Sequence, residues 1–174
     1  MAERSYIFVR TSDRAKLAAA AEKLAHLSGL VGWDATDGHF QAAMLCEGED
    51  SGCRENLQAI DKAAELLECR LADNTQASAF ETSLDEDKCY SYVLIDAERE
   101  KVTSVTESLQ AMDGIVSVVP THGPFNVVAV VSGPTFDTVD RIVNEHIYPL
   151  DGLLRYKQDR IIQRNLRRDE TGLV

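Results

Sequence analysis

The chain has 174 residues, with 18 bases against 29 acids and a formal net charge of −11. Apolar residues make up 44% and charged residues 27%, an ordinary globular composition that excludes wholesale disorder. So acidic a surface repels phosphate, which argues against direct nucleic-acid binding and against anionic membranes, and no apolar run approaches the roughly 18 residues that span a bilayer. The start, MAERSYIFVR, has no secretory apolar core, and Cys46, Cys53, Cys69 and Cys89 are scattered without a close pair. A cytoplasmic protein with reduced thiols and no metal site is the expectation.

Residues 5–11 predict a strand, and 13–27 an Ala-rich helix carrying Leu17, Leu24 and Leu27, capped by Ser12 or Asp13. Residues 30–36 and 40–46 predict a hairpin around Gly38. A second helix is expected over 54–67, on Leu57, Ile60, Ala64 and Leu67, and a short strand over 69–72. Polar, acidic residues 73–88 read as a linker. Then the order repeats: a strand over 89–96, a helix over 98–112 with Val102, Val105, Leu109 and Met112 on one face, and strands over 115–120 and 125–131 around His122-Gly123-Pro124. A helix follows with Phe136, Val139, Ile142, Val143 and Ile147, stopped by Pro149 and Gly152, and a last strand over 153–162.

The repetition extends to residues. Leu27 to Phe40 aligns without a gap on Met112 to Phe125 at an offset of 85, placing Gly29 on Gly114, Thr36 on Thr121, Gly38 on Gly123 and Phe40 on Phe125. Such a period is too long for a solenoid, whose repeats typically run 20 to 50 residues, and fits a duplicated small domain. Each copy reads β-α-β-β-α-β, the ferredoxin-like unit, whose sheet carries helices on one face only. The fold class expected is therefore α+β: two ferredoxin-like units whose bare sheet faces cover each other as in a dimeric α+β barrel. The boundaries drawn are 1–75 for the first unit, 76–88 for the linker, 89–163 for the second unit and 164–174 for a basic tail.

Tyr92-Val-Leu-Ile, Met112-Asp-Gly-Ile-Val-Ser-Val, Thr121-His-Gly-Pro-Phe-Asn-Val-Val-Ala-Val-Val and Pro149-Leu-Asp-Gly-Leu carry a family resemblance. The second copy resembles the ligand-binding domain of the Lrp/AsnC regulators, and the first resembles a degraded version of it. The family's usual Asp is replaced by Asn126, and by Gln41 in the first copy; His122 is an insertion. The resemblance implies a small-molecule effector, an amino acid or a related metabolite, bound beside the glycine hairpin at Thr121, His122, Gly123, Phe125 and Asn126, with Thr36, Gly38 and Gln41 as the weaker equivalent. It implies a role in transcription regulation with no DNA-binding unit in this stretch of chain, and homo-oligomers built through the sheet faces.

Other residues carry less. His26 and His146 near helix ends have no acid or nucleophile spaced with them, and His39 and His122 lie at hairpin tips, where turns tolerate them. Trp33 reads as packing, and Asp85-Glu86-Asp87 as a solvated charge run. Residues 155–168 hold six bases and one acid, Asp159, a basic stretch read as a surface counterweight to the acidic body. No haem or monooxygenase signature is present, so no enzyme activity, catalytic residue or cofactor is expected. A barrel enzyme is the weaker alternative, and a structural protein assembling through its sheet faces the other.

Overall fold

A computed structural model describes residues 3–25, 29–48, 55, 58–59, 62, 64–72, 85 and 87–166. The first unit contains β1 (Arg4–Arg10), α1 (Arg14–Ala25), β2 (Leu30–Asp37), β3 (Ala42–Glu47) and β4 (Glu65–Leu71). The second contains β5 (Cys89–Ala97), a 3₁₀ turn (Arg99–Lys101) leading into α2 (Val102–Gln110), β6 (Ile115–His122), β7 (Val127–Gly133), α3 (Phe136–Ile142) with a π-turn at Val143–Ile147, and β8 (Leu153–Leu166). Asp13 caps α1 through its Oδ1, which accepts from the Ala15 and Lys16 amides at 3.0 and 3.1 Å. Thr135 caps α3 by accepting from the Thr138 amide at 3.1 Å.

Strand order is β4-β1-β3-β2 in one unit and β8-β5-β7-β6 in the other, and the two sheets join edge to edge into a closed barrel. Closure removes the unpaired edges that a lone four-stranded sheet would expose. The two seams are unequal. Among the described residues β4 pairs with β6 at Arg70↔His122 and Leu71↔Thr121, and the Ala72 amide adds a bond to the Pro120 carbonyl at 2.9 Å. The long β8 serves both units, pairing Leu153 to Arg160 with β5 and Arg160 to Leu166 with β2.

The barrel interior is filled by side chains. Tyr6, Phe8, Phe40, Leu45, Cys69, Tyr90, Tyr92, Leu94, Val119, Phe125, Val128 and Val130 form one buried cluster drawn from both units. Phe8 and Tyr92 meet edge to face at 5.7 Å between ring centroids, and Tyr6 and Tyr92 at 6.0 Å. Each buried aromatic contributes roughly 1.5–3 kcal/mol, so this shared cluster holds the halves together. These inner faces are the ones from which self-association was expected; here each finds its cover in the other half of the same chain. Outside the barrel, Val105, Leu109, Val139 and Ile147 cover the second sheet, and Leu17 packs on the first beside Ile7, Val9 and Met44. Trp33 also packs there, on the outer face.

Two elements differ from expectation. Residues 65–67 are strand, not the end of a helix; the rest of the helix expected over 54–67, and most of the linker, lie outside the described residues. Ala64 and Leu67, three apart, imitate a helical stripe, but Leu66 packs outward and Leu67 inward, the two-residue period of a strand. β8 also runs past the end expected at 162, so positions 164–166 of the expected tail are strand paired to β2; residues 167–174 lie outside the described residues.

Candidate functional site

The two glycine hairpins are built to one plan. Thr36 Oγ1 donates to the Phe40 carbonyl at 2.8 Å, and Thr121 Oγ1 to the Phe125 carbonyl at 2.8 Å. Thr36 N–H bonds the Gln41 carbonyl and Thr121 N–H the Asn126 carbonyl, at 2.9 and 2.8 Å. Gln41 Oε1 accepts from the Thr11 amide at 2.8 Å. Asn126 goes further: Oδ1 accepts from Ala97 N–H at 2.9 Å and Nδ2 donates to the Ala97 carbonyl at 2.8 Å. A carboxylate could accept but not donate, so the amide at 126 matches its surroundings where the resembled family has Asp. Thr36, Thr121, Phe40 and Phe125 are buried, and Gly38, His39, His122 and Gly123 are exposed.

Each hairpin also grips one side chain from the last strand of the other unit. The first grips Asp159, a carboxylate 1% exposed. Asp159 Oδ1 accepts from the His39 amide at 2.6 Å and lies 3.2 Å from His39 Nδ1; Oδ2 accepts from the Phe40 amide at 3.0 Å. Gly38 makes this possible: at φ 142° it is in a region that suits glycine, and a Cβ there would stand 2.3 Å from Asp159 Oδ1. The second hairpin grips Cys69, whose thiol meets the Phe125 amide and the Thr121 hydroxyl. A Cβ on Gly123, φ 149°, would stand 2.6 Å from the Glu68 carbonyl oxygen. Asp159 and Cys69 are thus equivalent by the barrel's pseudo-twofold symmetry. Burial pushes the Cys69 thiol up to about 11, and burial likewise raises the Asp159 carboxyl above its ordinary value despite the three donors that favour its charge.

Two open grooves flank Gly38. One, of about 720 Å³, is lined by Arg10, Thr11, Ser12, Gly38, His39, Gln41 and Glu65. Arg10 and Glu65 are register partners on β1 and β4, so their side chains leave the same face of the sheet and one base and one acid line the same wall. The other, of about 430 Å³, is lined by Asp37, Gly38, Asp140, Asn144, Gln158 and Arg160. There Asp140 accepts from Gln158 Nε2 at 2.6 Å and from Arg160 at 3.2 Å. From β8, Lys157 lies over the Phe40 ring at 5.6 Å and the exposed Arg155 over Phe125 at 4.7 Å.

Of the residues expected to bind ligand, the structure brings Gly38 and Gln41 into the larger groove, uses Thr36 and Thr121 to close their hairpins, buries Phe125 in the barrel, and ties Asn126 to Ala97. Sequence reasoning passed over Asp34 and Asp159. Asp159 had a signal, as the one acid in a run of six bases at the parity of inward-facing Lys157 and Ile161. His146 is exposed on the π-turn, and His26 lies outside the described residues. Among the described residues no group of three His, Cys, Asp or Glu is placed to hold a metal ion. No helix among them is long and apolar enough to cross a membrane.

No protein-family model matches the chain, and no curated protein matches it. Among solved structures, the siroheme decarboxylase NirDL aligns with a TM-score of 0.71 over 94% of this chain and 72% of its own, at 10% identity. A Fusobacterium nucleatum subsp. nucleatum protein, FN1347, provisionally assigned as a monooxygenase, aligns at 0.50 over 95% and 94%, at 12% identity. Escherichia coli AsnC aligns at 0.42 over 67% and 74%, at 12% identity. At such identities the likeness is one of fold. It overturns the expectation that the chain is not an enzyme, because a decarboxylase is built on the same barrel. The chain is an α+β barrel of the dimeric ferredoxin-like type, closed within one polypeptide.

Proposed function

We propose that the protein is a small-molecule-binding module that takes a polar metabolite, an amino acid or a close relative, in the groove beside the Gly38 hairpin. The observation that carries this reading is the pairing of Arg10 with Glu65 on the wall of a groove of about 720 Å³. A guanidinium and a carboxylate on one wall complement the two charges of a zwitterion. Gln41 and Gly38 belong to the same wall, which keeps part of the site implied by the Lrp/AsnC resemblance. The equivalent loop at Thr121, His122, Gly123, Phe125 and Asn126 is the second position in this proposal, and a regulatory role follows from the resemblance.

The test is a thermal-shift screen with the twenty amino acids and their 2-oxo acids. A ligand at 100 times its Kd adds about 2.7 kcal/mol of stability. Arg10→Ala should abolish the shift while leaving the unliganded melting point within a degree or two. No shift with any compound, or an unchanged shift in Arg10→Ala, would overturn the reading.

A second reading rests on the alignment with siroheme decarboxylase over 94% of this chain. In that reading the protein is a barrel enzyme acting on a tetrapyrrole. Titration with sirohaem, followed by its visible absorbance, should then give a saturable band shift; an unchanged spectrum rejects it.

A further inference from the structure

The histidine in this groove is held in one orientation by a carboxylate. His39 Nδ1 lies 3.2 Å from Asp159 Oδ1, and the same oxygen accepts the His39 amide at 2.6 Å, so ring and backbone of one residue are fixed on one carboxylate. Asp159 is itself immobilised, 1% exposed and tied by Oδ2 to the Phe40 amide. An acceptor at Nδ1 selects the tautomer with the proton there and leaves the lone pair on Nε2. The His39 side chain is 52% exposed and lines the groove that holds Arg10 and Ser12. A buried carboxylate, an oriented imidazole and a neighbouring cation are the parts of a general-base site.

We propose that His39 is a catalytic base, with Asp159 as its positioning residue, acting on a small carboxylate-bearing substrate that has an acidic C–H next to a carbonyl, the 2-oxo acid class. The inference rests on the groove being the binding site. Arg10 takes the substrate carboxylate. Nε2 accepts the proton from C3, and the C–H electron pair forms the C2–C3 double bond of an enolate as the carbonyl π pair moves onto oxygen. The Ser12 hydroxyl lies on the same wall to donate to that oxygen. Return of the proton from Nε2 restores the keto form, so the cycle needs no oxidant, reductant or co-reactant.

Two measurements test it. In the first, the protein is treated with diethyl pyrocarbonate, which acylates unprotonated imidazole, and each histidine peptide is followed by mass spectrometry. Asp159→Asn should slow modification of His39 about tenfold, in the direction seen when the orienting carboxylate of a triad is removed. His122 and His146, exposed on other elements, are internal references. A purely structural role for Asp159 would loosen the hairpin and speed His39 instead. In the second, pyruvate and 2-oxobutyrate are incubated with protein in deuterium oxide, and loss of the C3 proton signal is followed by NMR. Wild type should exceed buffer at least tenfold, and His39→Gln should return the rate to buffer. An unslowed His39 in folded Asp159→Asn, or equal exchange in wild type and His39→Gln, overturns the proposal; if Asp159→Asn does not fold, exchange decides alone. A thermal shift with these acids that survives in His39→Gln, without exchange, removes the catalytic base and leaves the binding site standing. Absence of any shift together with a tenfold slowing in Asp159→Asn removes the binding site first.

Discussion

The Tyr92 hydroxyl donates to Asp34 Oδ2 at 2.6 Å, joining β5 of one unit to β2 of the other inside the barrel. Both side chains are fully buried. The 85-residue offset puts Asp34 where the second unit has Val119, so this polar contact breaks the pseudo-symmetry of the interior. A buried carboxylate must be offset by hydrogen bonds, and the phenol supplies one of them. Tyr92→Phe keeps the ring packing and removes that donor. It should cost about 1.5–3 kcal/mol in urea unfolding, the range for a hydrogen bond to a charged group. A loss below about 0.5 kcal/mol would show that the bond contributes nothing net.

The hairpin glycines should respond to substitution as seam residues. Gly38→Ala drives a methyl into Asp159 Oδ1, and Gly123→Ala drives one into the Glu68 carbonyl. Moving the Asp159 carboxylate breaks its hydrogen bonds to the hairpin, whereas moving the Glu68 carbonyl displaces the β4 backbone itself, so Gly123→Ala should be the more destabilising change. Each should exceed about 1 kcal/mol, since the backbone conformation also disfavours alanine. Equal, small losses in chemical denaturation would contradict this.

Asn126 offers a donor and an acceptor to the same residue, Ala97. Asn126→Ala should cost about 1–3 kcal/mol, roughly 0.5–1.5 for each bond. Asn126→Asp should cost at least as much at neutral pH, because a carboxylate would face the Ala97 carbonyl with no proton to share. Acidification should recover part of that second loss, as a protonated Asp regains a donor. Melting temperatures of both variants across pH would check this.

Asp159 predicts a pH dependence. Burial raises its folded-state pKa above the ordinary value of 3.8. The unfolded chain therefore releases this proton first as pH rises. The stability that Asp159 contributes is complete below about 3.8 and falls as pH rises through its folded pKa, after which it is constant. The stability difference between wild type and Asp159→Asn, which has no proton to lose, should shift against wild type across that window. Urea midpoints of both proteins from acid to neutral pH measure it; a shift in wild type's favour would mean that the His39 and Phe40 donors outweigh burial.

Cys69 occupies the equivalent seat, with its thiol pushed up to about 11 by burial. Only the thiolate is nucleophilic, so Cys69 should resist thiol reagents at neutral pH in the folded state and react on unfolding. The half-buried Cys89 should react first. Peptide mapping after timed alkylation separates the two.

Much of this architecture was legible in the residues. The order β-α-β-β-α-β of the second unit, the matching strands and first helix of the first unit, and the hairpins at Gly38 and Gly123 follow from period-two runs, helical stripes and a gapless alignment, all of which are local in sequence. Local signals failed where two readings shared a spacing: Ala64 and Leu67 suit a helix until pairing with β1 shows Leu66 and Leu67 on opposite faces.

What the sequence by itself determined is the pair of ferredoxin-like units and the need for each sheet to find a cover. What only the tertiary structure decided is how the units meet: β8 bridging β5 and β2, Tyr92 reaching Asp34, and the Gly38 hairpin closing on Asp159. Those partners lie 58 and 120 residues apart. Their pairing depends on barrel register and on which side chain arrives opposite an exposed amide, and neither is encoded in the spacing of neighbours along the chain. The groove beside His39 is walled by β1, β4 and the β2–β3 hairpin of the first unit alone, and barrel closure adds Asp159 of β8, which fixes the His39 ring.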